Sequence, residues 1–123
     1  MEATISEWQD LFAKLDGFAT LSEGWNSYAA PAPAPPAIAA ARSFLTLLQR
    51  EQYLPTRIAP SVMGGVGITH RQDGRKVYVE FYNDGTAHAL FSSGREGMDT
   101  RKVSTDTAGL RQLLVDMRNY LNG

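Results

Sequence analysis

The chain has 123 residues, of which 12 are Lys or Arg and 13 are Asp or Glu, for a net charge of −1 at pH 7. That length suits one domain spanning residues 1–123 with one core, and 43% hydrophobic with 20% charged residues excludes disorder of the whole chain. The absence of cysteine excludes a disulfide scaffold, a cysteine nucleophile and every thiolate metal site, and the balanced charge argues mildly against a protein that tracks phosphate over its whole surface.

The first residues, Met1-Glu2-Ala3-Thr4, lack a basic segment followed by an apolar run. No stretch approaches the roughly 20 apolar residues needed to span a bilayer. The expectation is a cytoplasmic protein with no membrane contact and no cofactor. Thr4-Ile5-Ser6-Glu7 has the form of a capping box, in which hydroxyl and carboxylate each satisfy a free backbone N–H. Ile5, Trp8, Leu11, Phe12 and Leu15 follow on one helical stripe, and Gly17 is a suitable stop.

Residues 18–36 read as an irregular arm rich in aromatic residues and proline. Pro31, Pro33, Pro35 and Pro36 remove amide donors and fix φ, which favours an extended polyproline-type segment. Trp25 and Tyr28 in this arm are either buried as a plug or used as anchors for a partner protein. A second helix is expected from Pro36 to Tyr53, with Ile38, Ala41, Phe44, Leu45 and Leu48 on its apolar stripe and Pro55 beyond its end.

The strongest pattern lies in residues 66–92. Val66, Ile68 and His70 alternate with Gly67, Thr69 and Arg71, and Val77, Val79 and Phe81 alternate with Tyr78, Glu80 and Tyr82. Asp73-Gly74 between the runs is a two-residue hairpin turn, which pairs His70 with Val77, Ile68 with Val79 and Val66 with Phe81. At Asn83-Asp84-Gly85 two registers compete. A two-residue turn sets Leu90 opposite Val79 and His88 opposite Phe81. A three-residue loop with Gly85 at a bulge sets Ala89 beside Val79 and His88 beside Glu80, and is preferred because it keeps a histidine off the apolar face. Residues 92–97 form a polar loop and 99–104 a short edge strand. Ser104, Thr105 or Asp106 caps a last helix carrying Leu110, Leu113, Leu114, Met117 and Leu121. The fold class is therefore α+β, an antiparallel three- to four-stranded meander packed on two or three amphipathic helices in the order α-α-β-β-β-(β)-α.

Tyr78, Glu80 and Tyr82 share the strand face opposite the valines. A tyrosine-rich sheet face binds a partner or stacks nucleotide bases, unless a helix covers it. Arg71, Arg75 and Lys76 flank the first hairpin turn and are the phosphate contacts of the nucleic-acid alternative. His70 or His88, working with Glu80, is the enzymatic alternative, although no serine elbow or His/Cys/Asp cluster accompanies them. Gly64-Gly65 belongs to neither phosphate-loop pattern and reads as a turn. Arg95, Arg101 and Lys102 are interrupted by Glu96 and Asp99 and read as a solvated loop.

Gly24, Trp25, Asn26, Tyr28, Ala30 and Pro33, followed by Asp73-Gly74 and Asp84-Gly85, resemble a loose group of small bacterial proteins of uncharacterised activity. These share a Gly-Trp-Asp/Asn-x-Tyr-x-Ala-x-x-Pro segment, a helix and a strand meander, and the likeness covers roughly residues 20–92. It implies no catalytic residue. It carries an association with antitoxins, immunity proteins and inhibitors on mobile elements. The leading expectation is a non-catalytic module that contacts another protein through Trp25, Tyr28, Tyr78 and Tyr82. Self-pairing through the sheet edge or an exposed helix face is also open.

Overall fold

A computed structural model describes residues 4–94 and 97–123. Arg95 and Glu96, placed in a loop from the sequence, lie outside the described residues. The elements are α1 (Ile5–Phe18), α2 (Pro35–Arg50), β1 (Arg57–Ser61), β2 (Gly65–Gln72), β3 (Arg75–Tyr82), β4 (Ala87–Ser92), β5 (Met98–Val103) and α3 (Thr107–Asn122). The five strands form one antiparallel meander in sequence order, β1-β2-β3-β4-β5. The α+β class is as expected from the pattern, with one strand more.

The caps set the helix ends. Thr4 and Glu7 form the reciprocal capping box at α1, and Asp106 caps α3 by accepting from the Gly109 amide at 2.7 Å. Helix α2 begins at two prolines, where missing amides cost nothing, and stops at Arg50 rather than Tyr53. Its stop is Gln52, held at φ 57°, while Tyr53 N–H returns to the Leu48 carbonyl at 2.8 Å.

The first hairpin adopts the register required by its turn, with Val66 on Phe81, Ile68 on Val79 and His70 on Val77. Asp73 and Gly74 both have positive φ, 49° and 82°. The second hairpin takes the three-residue form, since Val79 faces Ala89 and Glu80 faces His88. Gly85 sits at φ 89°, and Tyr82 N–H bonds the Thr86 carbonyl across the loop at 2.8 Å. Strand β1 went unread in the sequence because Arg57-Ile58-Ala59-Pro60-Ser61 offers one strong apolar residue and a proline. An edge strand tolerates that proline.

One sheet face carries the core. Ile58, Val66, Ile68, Val77, Val79, Phe81, Ala87, Ala89, Phe91 and Val103 are buried there against Trp8 and Leu15 of α1, Phe44, Leu45 and Leu48 of α2, and Leu110, Leu114 and Met117 of α3. Helix α1 lies on α2 and β1, α2 on β2 and β3, and α3 on β2, β3 and β5. Each large buried side chain contributes roughly 1.5–3 kcal/mol of burial. None of the opposite-face residues joins this core, so all three helices cover the same side.

Candidate functional site

The register fixes what stands on the uncovered face. Its central row is Ala59, Gly67, Glu80, His88 and Lys102, and the next is Arg57, Thr69, Tyr78, Leu90 and Thr100. Ser61 and Tyr82 flank the row on one side, and Arg71, Lys76, Ser92 and Met98 extend it on the other. A covering helix or loop, the structural alternative for the tyrosines, is absent among the described residues.

The two tyrosines are held in place rather than free. Gly67 leaves room for the Tyr78 ring to lie down on the sheet. A Cβ at that position would stand 2.6 Å from Tyr78 Cε1 and 2.8 Å from Cζ. Glu80 accepts a hydrogen bond from the Ser61 hydroxyl, and Ser61 Oγ accepts from the Met63 amide at 3.1 Å. Burial first, and the Glu80 charge second, push the Tyr78 phenol up to about 12 and raise Tyr82 as well. Both rings are therefore neutral hydrogen-bonding surfaces at ordinary pH. His88 meets Tyr82 edge-on, with ring centroids 5.4 Å apart.

Two shallow clefts flank Glu80 and meet at Met63. One of about 270 Å³ is lined by Arg57, Ser61, Val62, Tyr78 and Glu80, and another of about 400 Å³ by Gly64, Tyr82, Asn83, Thr86 and His88. Met63 and Met98 are each 71% exposed at opposite rims. Among the described residues, Arg57, Arg71, Lys76 and Lys102 stand around two carboxylates, Glu80 at the centre and Asp84 at the rim of the second cleft. The face is therefore positive on a chain that is slightly negative.

Three of the sequence candidates stand elsewhere. Arg75 alternates with Lys76 and so points to the helical side, where Nη1 donates to the Tyr120 carbonyl at 2.7 Å and the guanidinium lies 5.5 Å from the Tyr120 ring. It anchors the end of α3 and leaves the basic set of Arg71 and Lys76 to be completed by Arg57 and Lys102. His70 is buried on the core face, stacked on Tyr53 at 4.9 Å, so it and Glu80 are separated by the sheet. Arg101 likewise lies over Phe91 at 4.3 Å and pairs with Asp99 at 2.9 Å. Only His88 is beside Glu80. Among the described residues no cluster of His, Asp or Glu is arranged to hold a metal ion.

The arm is a hydrogen-bonded loop of its own. Asn26 Oδ1 accepts from the amides of Tyr28 and Ala30 at 2.9 and 3.2 Å, and the Trp25 indole N–H donates to the Pro31 carbonyl at 3.0 Å. An aspartate could serve the same acceptor role, a physical reason for either residue in the motif. Asn83 then stitches the arm to the sheet, accepting from Ala34 at 2.7 Å and donating to Ala32 at 2.9 Å. Trp25 is half-buried, whereas Tyr28 is 85% exposed. Asn26→Ala is expected to cost about 1–2 kcal/mol in urea unfolding and to shift Trp25 fluorescence, with Asn26→Asp near wild type. Unchanged stability in Asn26→Ala would mean that the loop does not depend on these bonds.

Sequence reasoning missed Arg57, Ser61 and Met63 because it missed β1. The chain matches no known family model, no curated protein and no solved structure.

Proposed function

We propose that this chain is a non-catalytic binding protein whose working surface is the bare sheet face, and that its partner is an acidic protein. The observation that carries this reading is the placement of Tyr78, laid over Gly67, and Tyr82, packed edge-on against His88, on either side of Glu80 in the middle of an uncovered face. Interfaces are enriched in tyrosine, methionine and arginine, and Tyr82, Met63, Met98 and Arg57 supply all three. Rings already fixed in position lose little entropy on binding. The surrounding cations favour an acidic counterpart and discourage basic ones. An inhibitor, antitoxin or immunity-type role is the setting that the motif resemblance suggests.

The same face also supports a second reading, in which the tyrosines stack bases and Arg57, Arg71, Lys76 and Lys102 meet phosphates. The position of the cations around the tyrosines favours it. An enzymatic reading rests on His88 and Glu80 alone, since His70 lies on the other side of the sheet.

Immobilised protein exposed to nuclease-treated lysate of its source separates the two binding readings. The protein reading expects an acidic protein to be retained, with retention reduced about tenfold or more by Tyr82→Ala and by Arg57→Glu/Lys76→Glu. A labelled single-stranded oligonucleotide that binds at low salt, dissociates steeply as salt rises and fails to bind Tyr82→Ala would replace it with the nucleic-acid reading.

A further inference from the structure

The outer side of the helical layer carries a second surface, remote from the sheet face. Helices α2 and α3 diverge there to leave two joined hollows of about 330 and 260 Å³. Arg42, Ser43 and Thr46 face Thr107 and Leu110 in the first, and Glu51 faces Leu114, Val115 and Arg118 in the second, with Leu47, Arg50 and Arg111 shared by both. The helices therefore run in the same direction along one groove. From Arg42 to Glu51 it is about 14 Å long, at 1.5 Å per residue, or about two and a half turns of a helix laid into it.

Its floor is apolar and its walls are cationic. Leu110 and Leu114 close the bottom, Leu47 is half-buried, and Val115 is 50% exposed on the α3 wall. Arg42 is paired with Asp16, and Arg118 with Glu51 at 3.6 Å. Arg50 and Arg111 have no ion pair or hydrogen-bond partner for their side chains among the described residues, although they sit on facing helices beside the same leucine. A guanidinium forks onto a carboxylate with two parallel hydrogen bonds, and two such groups across an apolar strip match carboxylates on both flanks of an amphipathic helix.

We propose that the α2–α3 groove docks an acidic amphipathic helix of a partner protein, with its apolar stripe on Leu47, Leu114 and Val115 and its carboxylates on Arg50 and Arg111. This is the helix-in-groove mode, read by apolar anchors at i, i+3 or i+4, and i+7. The charge selects the sign of the partner and the groove selects its shape. The site is independent of the sheet face and stands whether that face takes protein or nucleic acid.

Fluorescence anisotropy with a labelled peptide of about three turns, leucine on one face and glutamate on the others, tests it. The full-length chain is expected to bind this peptide and not its lysine counterpart, and to bind a scrambled peptide of equal charge at least about tenfold more weakly. Arg50→Glu/Arg111→Glu and Val115→Asp are expected to weaken binding about tenfold or more. The conservative Arg50→Lys/Arg111→Lys chain should keep part of it, and Tyr82→Ala all of it. All these changes are on the protein surface, and a thermal melt confirms that each variant is folded. Absence of binding overturns the proposal, as do equal binding of the scrambled peptide and indifference to Arg50→Glu/Arg111→Glu. Sedimentation showing a dimer that this double substitution dissolves would assign the groove to a second copy and overturn it too. Equal competition by an oligonucleotide of matched charge would overturn it in favour of a general anion surface.

Discussion

Gly65→Ala is expected to destabilise the chain by more than about 3 kcal/mol, seen as a large fall in the urea midpoint or as failure to accumulate folded protein. Gly65 opens β2 at φ +140°, where residues with a Cβ are strained by roughly 1–3 kcal/mol. A Cβ there would also run into the Phe81 carbonyl oxygen and stand 2.9 Å from its carbon and 3.0 Å from Tyr82 Cα. These are backbone atoms of the neighbouring strand, so relief requires parting β2 from β3, and overpacking of this kind costs a further 1–3 kcal/mol or so. Gly74→Ala provides the contrast. It too has positive φ, +82°, but nothing lies within 4 Å of its added Cβ. Its cost should be about 1 kcal/mol. Equal effects at the two sites would show that close strand approach at Gly65 is not what requires glycine.

Acid should remove about 3 kcal/mol of stability through one side chain, His70. Burial, partly offset by a 3.5 Å contact to the Tyr53 carbonyl, lowers its pKa from 6.5 to about 4. Between those values the unfolded chain binds a proton that the folded chain refuses. Stability is therefore fully present above about pH 6.5 and declines as pH falls to about 4, below which His70 contributes no further loss. His70→Phe retains the stack on Tyr53 and removes the titration. Its unfolding free energy, measured by urea titration across pH 4–7, should lose most of that slope. A wild-type slope that survives the substitution would assign the acid sensitivity to other groups. Asp84 belongs to a separate, lower window, because hydrogen bonds from Thr86 hold its carboxyl below the usual range.

The sheet was legible wherever pattern and turn chemistry agreed. Asp73-Gly74 fixed one register, and keeping His88 off the valine face selected the other, because a one-residue slip moves every side chain across the sheet. Strand β1 was not legible. Its pairing depends on the tight turn at Val62-Met63-Gly64 and on the partner β2, and its own residues carry little strand signal. Tyr78 and Tyr82 were visible as a pair, but whether a helix covered them depends on which side α1 takes. Period-two alternation is silent on that choice, since tyrosine suits a buried and an exposed face equally. Arg75 shows the limit of counting charges along a chain. It adjoins Arg71 and Lys76 around the turn, yet strand parity sends it to the opposite side. The unread β1 supplies Arg57 in its place.

Hydroxyl-radical footprinting, read by mass spectrometry on the free chain and on the complex captured with it, tests most directly whether the sheet face is the working surface. Met63, Met98 and Tyr82 should oxidise quickly in the free chain, while buried Met117 and Trp8 stay protected. In the complex the first three should become as slow as Met117. Free-chain protection of Met63 and Met98 equal to that of Met117, or a complex that leaves their oxidation unchanged, would contradict the account.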